Sequence, residues 1–170
     1  MTFFQRLILG RLDDVAFCRR LTLEGWEHLV TAEDQGRGVV LVSPAVDLWQ
    51  VAIAAVGLYR GPVDVVARGS RLRGLPARWR RRFVGRALEP DDASGPASET
   101  LSDGGRILVL AEPEAGGLDS LAARLSSESG APILSVATDS PRRGRYRIAV
   151  RPTPQSSASA SRRRSHAALP

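Results

Sequence analysis

Lysine is missing from this chain: all 24 of its cationic residues are arginine, set against 18 acids. The bias suits bidentate phosphate binding and follows equally from nucleotide composition. A single cysteine, Cys18, excludes an intramolecular disulfide framework, and with His28 and His166 as the only histidines a Cys/His metal site lacks ligands. Long apolar runs are missing too. The longest, Val46 to Leu58, is interrupted by Asp47 and Gln50 and falls short of the roughly 18 to 20 residues that span a bilayer. Met1 to Gly10 has a few apolar residues around Gln5 and Arg6, without the apolar core and cleavage site of a secretory signal. A cytoplasmic location is therefore expected, and nothing in the composition implies a cofactor.

What is present fits one domain: 170 residues, 43% hydrophobic and 25% charged. The formal charge of +6 divides in half, because the stretch from Pro152 to Pro170 has Arg162, Arg163 and Arg164 and no acid. The remainder is only mildly basic, so the charge balance does not point to nucleic acid. The Pro/Ser/Ala-rich end, residues 153–170, predicts a disordered tail. Ahead of it, strand and helix signals alternate as in an α/β domain over residues 21–152, preceded by a helical lead-in at 1–20. Strands are expected at Val39 to Ser43, Val63 to Ala67, Arg106 to Leu110, Ile133 to Ala137 and Tyr146 to Val150. Most are Val/Ile/Leu runs, as in parallel strands buried on both faces. Helices are expected at Gly25 to Asp34, Val46 to Leu58, Leu72 to Val84, Ser98 to Ser102 and Leu118 to Ser127. Ser140 to Gly144 carries the turn chemistry of a hairpin, and Asp91 to Ala97 that of a flexible linker. The fold class is a single α/β domain with a mixed, mostly parallel sheet flanked by helices.

Gly36-Arg37-Gly38 precedes a strand, whereas a phosphate cradle needs glycines between a strand and a helix N-terminus, so these glycines read as a helix stop. His28 has no nucleophile or second ligand in its segment, and His166 lies in the tail. Arg68 to Arg86 has eight arginines and no acid, while Leu72, Leu75, Trp79 and Phe83 recur every three or four residues. A helix there would bury its apolar stripe and turn Arg71, Arg78, Arg80, Arg81 and Arg82 outward. Such a surface is either ordinary solvated charge or a contact for an anionic lipid or polymer. The most informative stretch follows the first core strand, where open α/β sheets keep their sites. It offers Ser43, Asp47 and Trp49, with no base beside the serine, and Asp47 reads most simply as a helix cap.

The order of segments resembles the lysophospholipid acyltransferase superfamily, specifically the bacterial late acyltransferases of lipid A biosynthesis. LTLEGWEHLVTAEDQGRGVVLVS resembles that family's short strand, G-x-E-H-L helix, glycine turn and first core strand. PVDVVARGSRL resembles its next strand with an arginine, here Arg68. SDGGRILVLAEPEAG is similar to the following strand with an acidic loop, and GAPILSVATDSPRRGRYRIAV to the closing pair of strands. The likeness runs collinearly from Leu21 to Pro152. It implies an α/β acyltransferase fold, transfer of an acyl chain from a thioester to a lipid hydroxyl, and partners among anionic membrane lipid, acyl carrier protein or another protein. It also implies a place at the periphery of the inner membrane.

The family's signature, in a context resembling T-G-H-F-G-N-W-E, places a histidine base and, after four residues, an orienting acid. Aligned on Trp49, those positions hold Ala45 and Gln50, and Pro44 and Asp47 stand where the family has glycines. General-base catalysis typically contributes about 10²- to 10⁴-fold, so both losses bear on activity. The family's aromatic P-F-F-G loop is replaced by Glu112 to Gly117, and only about twenty residues precede the resemblance where the family has an anchor and a helical region. Three expectations follow. One is a degenerate, non-catalytic homologue whose remaining surface, with Ser43, Asp47, Trp49 and Arg68 as candidate substrate contacts, binds lipid or protein. Another is an acyltransferase whose chemistry is rearranged onto Ser43, Asp47 or His28. The third is a basic interaction module for anionic membrane or polymer. The oligomeric state stays open in all three.

Overall fold

A strand covered on both faces can be apolar throughout, whereas one covered on a single face must alternate. Both kinds occur here, and their division explains the architecture. The computed structural model describes residues 13–45, 48–111 and 117–153. In chain order the elements are α1 (Asp14–Cys18), β1 (Leu21–Glu24), α2 (Trp26–Glu33), β2 (Val39–Pro44), α3 (Trp49–Arg60), β3 (Val63–Val66), α4 (Gly69–Leu72), α5 (Ala77–Phe83), β4 (Val84–Leu88), α6 (Ser94–Ser102), β5 (Arg106–Ala111), α7 (Gly117–Ser129), β6 (Ile133–Arg142) and β7 (Arg145–Pro152).

The strands form one seven-stranded sheet in the order β1-β7-β6-β2-β5-β3-β4. Five strands, β6, β2, β5, β3 and β4, run parallel, while β7 pairs antiparallel with β6 and carries β1 parallel to itself. The chain is thus an α/β domain with a mixed, mostly parallel sheet flanked by helices. Side chains alternate between two cores. Val39, Leu41, Val63, Val65, Leu108, Leu110, Leu134 and Val136 pack with α2, α3 and α5 on the first face. Val40, Val66, Ile107, Val109 and Ile133 pack with α6 and α7 on the second. Along β7, Tyr146, Ile148 and Val150 are buried while Arg145, Arg147 and Arg151 face solvent, as befits a strand with one covered face. The β2-to-β3 and β3-to-β4 crossovers lie on the first face and the returns through α6 and α7 on the second, which is how right-handed connections distribute themselves.

Several expectations need correction. The arginine-rich helix expected over Leu72 to Val84 is two pieces, α4 and α5, parted at Gly74 to Pro76 because proline closes the preceding turn and starts the next helix well. Val84 opens an edge strand instead of ending a helix. That strand, Val-Gly-Arg-Ala-Leu, lacks an apolar run because one buried acid anchors it: Asp64 of β3 accepts from the Arg86 backbone N–H at 2.7 Å, from Arg86 Nε at 2.8 Å and from Thr100 Oγ1 at 2.6 Å. The expected linker at Asp91 to Ala97 leads straight into α6, with Ala93 and Ala97 buried. β1 is expected only through the resemblance. Its two-faced Leu-Thr-Leu-Glu pattern is too short to stand out. The hairpin turn is tighter than expected, at Arg143-Gly144 with Gly144 at φ 76°, and Pro141 sits inside β6 where the register shifts. Most of the lead-in (1–12) and most of the tail (154–170) lie outside the described residues; α1 and the short turn after it, Arg19-Arg20, are the described part of the former.

α3 is buried from Trp49 to Gly57, and Gly57 is where α5 crosses it. A Cβ there would lie 2.5 Å from Phe83 Cβ and 2.9 Å from its Cα. Two effects oppose each other in Gly57→Ala. Helix propensity favours alanine by about 1 kcal/mol, but the clash involves backbone that cannot rotate away, and overpacking costs about 1–3 kcal/mol. Gly57→Ala is expected to lower the denaturant midpoint of unfolding with an unchanged m-value; a raised midpoint would show that the two helices separate freely.

Candidate functional site

The loop after β2 enters α3 on the first face, and the chain after β5 enters α7 on the second. Neighbouring strands whose connections diverge leave a crevice at their carboxyl ends, the general ligand address of open α/β sheets. Here that address falls at Pro44, Ala45 and Ala111. The Ala45 N–H donates to the Ala111 carbonyl at 2.6 Å, extending the ladder past the end of the strands. Arg71, from α4, donates through NH1 to the Ala45 carbonyl at 2.8 Å. Leu48 then turns the chain into α3 at φ 73°, the one non-glycine residue with positive φ among those described, and no side chain caps the helix. Such conformations cost about 1–3 kcal/mol and persist where surrounding packing enforces them. Leu48, at 6% exposure, is enforced by burial.

The candidate residues fall as follows. Ser43, Ala45 and Gln50 are 1%, 3% and 2% exposed, and Trp49 is buried with them at the head of α3. Asp47 lies outside the described residues, and the N-cap position it was expected to fill belongs to Leu48. Arg68 is exposed at the start of α4. His28 is half-buried on α2, and no hydrogen bond joins its side chain to Ser43 among the described residues. Ser43, Ala45, Trp49 and Gln50 supply a hydroxyl, a methyl, an indole and an amide, none of which accepts a proton near neutral pH. Among the described residues no cluster of His, Cys, Asp and Glu could hold a metal ion.

The arginine surface is only partly as expected. Leu72, Leu75, Trp79 and Phe83 are buried, and Arg78, Arg80 and Arg81 are exposed. Arg71 is half-buried against the Ala45 carbonyl instead of facing outward. Arg82 is engaged by Asp14 of α1 through two bonds of 2.8 and 2.6 Å and lies 5.2 Å from the Phe83 ring centroid. Neither partner could be read locally, since Asp14 is far upstream and the Arg71 acceptor is a backbone oxygen.

The perturbed titrations lie away from the crevice. Tyr59, near the far end of α3, is pushed up to about 12 by its hydrogen bond with Cys18 and then by burial. Arg60 is raised by its bond to Glu33, which also accepts from Arg106 at 2.8 Å and so ties the ends of α2 and α3 to the start of β5. No protein-family model matches the chain, and no curated protein matches it significantly.

Gln50 Oε1 is buried without a hydrogen-bond partner, a condition that costs about 1–3 kcal/mol and that an apolar replacement removes. Gln50→Leu is therefore expected to hold or raise the unfolding midpoint at pH 7. Gln50→Glu should lower it, and the sign of its pH dependence follows from desolvation. A buried, unpaired carboxyl has a folded pKa above its unfolded value near 4.3, so the variant is most stable while protonated. It loses stability as pH rises above about 4.3, by about 1.4 kcal/mol for every tenfold difference in proton affinity between the folded and unfolded states. Chemical unfolding at pH 4 and pH 7 measures both. A Glu variant as stable at pH 7 as at pH 4 would mean that a cation reaches position 50.

Proposed function

We propose that the chain is a degenerate, non-catalytic homologue of the lysophospholipid acyltransferases that keeps the scaffold and binds anionic lipid or a protein through its arginine surface. One observation supports the reading: Ala45, where the resemblance puts the base, follows the carboxyl end of β2, Gln50, where it puts the orienting acid, lies in the first turn of α3, and both are buried. A methyl group cannot take the proton from an attacking hydroxyl, and a neutral amide cannot stabilise an imidazolium. Ser43 is a poor substitute nucleophile because it is nearly inaccessible and has no base bonded to it. Binding does not need those groups. Arg78, Arg80 and Arg81 project from a short helix whose opposite side is anchored in the core by Trp79 and Phe83. Each cation near an anionic leaflet contributes about 1 kcal/mol, reduced by salt over a Debye length of about 8 Å at physiological ionic strength. No helix among the described residues is long and apolar enough to cross a membrane, so contact through this surface would be peripheral.

Two measurements test the proposal. The purified chain, given acyl carrier protein or coenzyme A thioesters with lysophospholipid or lipid A precursor acceptors, is expected to show no acyl transfer. Ala45→His with Gln50→Glu should restore little of it. Turnover abolished by Ser43→Ala or His28→Ala would overturn the non-catalytic reading. Cosedimentation with anionic vesicles at low salt should be weak and should fall by an order of magnitude or more in Arg80→Glu/Arg81→Glu, two charge reversals at about 1 kcal/mol per charge. Binding indifferent to lipid charge, salt and both substitutions would leave α5 as an ordinary solvated helix.

A further inference from the structure

Most of the charge-bearing arginines whose partners are resolved sit on acids: Arg60 and Arg106 on Glu33, Arg82 on Asp14, Arg86 on Asp64 and Glu99, Arg147 on Asp139 and Glu24. One cluster departs from this rule. Between α1 and the tip of the β6–β7 hairpin lies an open cleft of about 550 Å³ lined by Arg19, Arg20, Arg143 and Arg145, with Asp13 and Val15 at its side. No carboxylate pairs with any of the four guanidinium groups among the described residues. The single acid of the lining, Asp13, caps α1, its Oδ1 accepting from the Ala16 N–H at 2.7 Å.

The cleft is held by one backbone bond and one side-chain bond to backbone. The Tyr146 N–H donates to the Arg20 carbonyl at 2.8 Å, and Arg145 NH1 donates to the Arg19 carbonyl at 2.5 Å. Leu21 stands opposite Tyr146 in the β1–β7 ladder. Gly144, at φ 76°, turns the hairpin tightly enough to set Arg143 and Arg145 on either side of it, and a Cβ there would lie 3.4 Å from Arg20 NH1. On the other side of α1, Phe17 packs edge-on against Trp79 at 5.3 Å.

We propose that this cleft is a binding site for a phosphate-bearing anion carrying at least two negative charges, either a soluble phosphate ester or diphosphate or the phosphomonoester headgroup of a lipid. Four like charges converge in one concavity with one acid beside them, and guanidinium forks match the paired oxygens of phosphate. The volume falls within the range of small-ligand clefts. Val15, 61% exposed at the margin, gives a lipid an apolar foothold that a soluble anion would not use. The site is separate from the β2 crevice and does not rest on the acyltransferase reading.

The test uses the full chain at low ionic strength, with inorganic pyrophosphate followed by calorimetry and vesicles of phosphatidic acid or phosphatidylcholine followed by cosedimentation. Arg19→Ala/Arg143→Ala removes two charges from the cleft, and Arg80→Ala/Arg81→Ala removes the same charge from α5. Circular dichroism checks that each variant folds, with Arg143→Ala alone, at the exposed turn, as the milder change. A soluble ligand predicts saturable pyrophosphate binding weakened about tenfold or more by the cleft pair and less than about twofold by the α5 pair, as expected when charge-assisted bonds are lost at one place only. A lipid ligand predicts that the cleft pair weakens binding to phosphatidic acid vesicles about tenfold or more, over and above any contribution of α5 to anionic vesicles, and that Val15→Asp weakens it as well. Pyrophosphate binding weakened no more by the cleft pair than by the α5 pair, together with vesicle binding indifferent to the cleft pair, or no binding of either probe by the unmodified chain, would overturn the proposal.

Discussion

The parallel pairing of β2 with β5, from Val39 against Arg106 to Pro44 against Ala111, is the constraint on which the rest of the molecule depends. Two adjacent parallel strands cannot be joined directly, so every connection must cross a face of the sheet. The chain solves this with α3 on one face and α6 and α7 on the other. Both faces of the pair are then dry, which is why its residues are apolar on every position between the ends. The polar exceptions gather at the strand termini. Arg106 meets Glu33 at the amino edge, while Ser43 stands near the carboxyl edge where the connections diverge.

The loop at that carboxyl edge is fixed by backbone atoms. The Ala45 N–H is bound to Ala111 and the Ala45 carbonyl to Arg71, so its path does not depend on which side chain position 45 bears. A change of side chain there would alter the loop geometry little. Position 50 behaves differently. An acid at the head of a buried helix is tolerable only beside a cation, and with alanine at 45 the neutral glutamine avoids an unpaired charge, at the cost of one unsatisfied oxygen. The two positions are thus physically linked: with alanine at 45, an acid at 50 would be a burden.

Most of the fold was legible because burial writes itself into sequence. Val39 to Ser43, Val63 to Ala67 and Arg106 to Leu110 are apolar runs bounded by turn residues, and their strands fall within a residue of those limits. β4 was illegible because its attachment is ionic: Asp64 reaching Arg86 and Thr100 leaves no periodic trace. α6 was cut short because Asp, Gly, Pro and Ser signal a loop when taken singly, while the buried alanines that make it a helix, Ala93 and Ala97, carry little hydrophobic signal. At the candidate site, the contact from Arg71 was hidden because a side chain bonding a backbone oxygen twenty-six positions away has no sequence signature. The hairpin cleft was missed for a similar reason. Its arginines come in two close pairs, Arg19-Arg20 and Arg143 with Arg145, that only the β1–β7 ladder brings together.

A chain whose only cation is arginine therefore uses one side chain in three ways, and the difference lies in the partner. The half-buried guanidinium groups of Arg60 and Arg106 on Glu33, and the exposed one of Arg86 on Asp64, tie elements together. Those facing carbonyls, Arg71 on Ala45 and Arg145 on Arg19, hold loops in place. A charge matched by an acid adds nothing to the field of the molecule, so the positive potential arises where acids are lacking, along α5 and at the hairpin tip. Asp13 and Asp14 of the intervening α1 region lie between those two surfaces, one capping its helix and the other engaging Arg82. Asp13 and Asp14 are thus both held by structural bonds, and each keeps its charge beside the arginines that it borders.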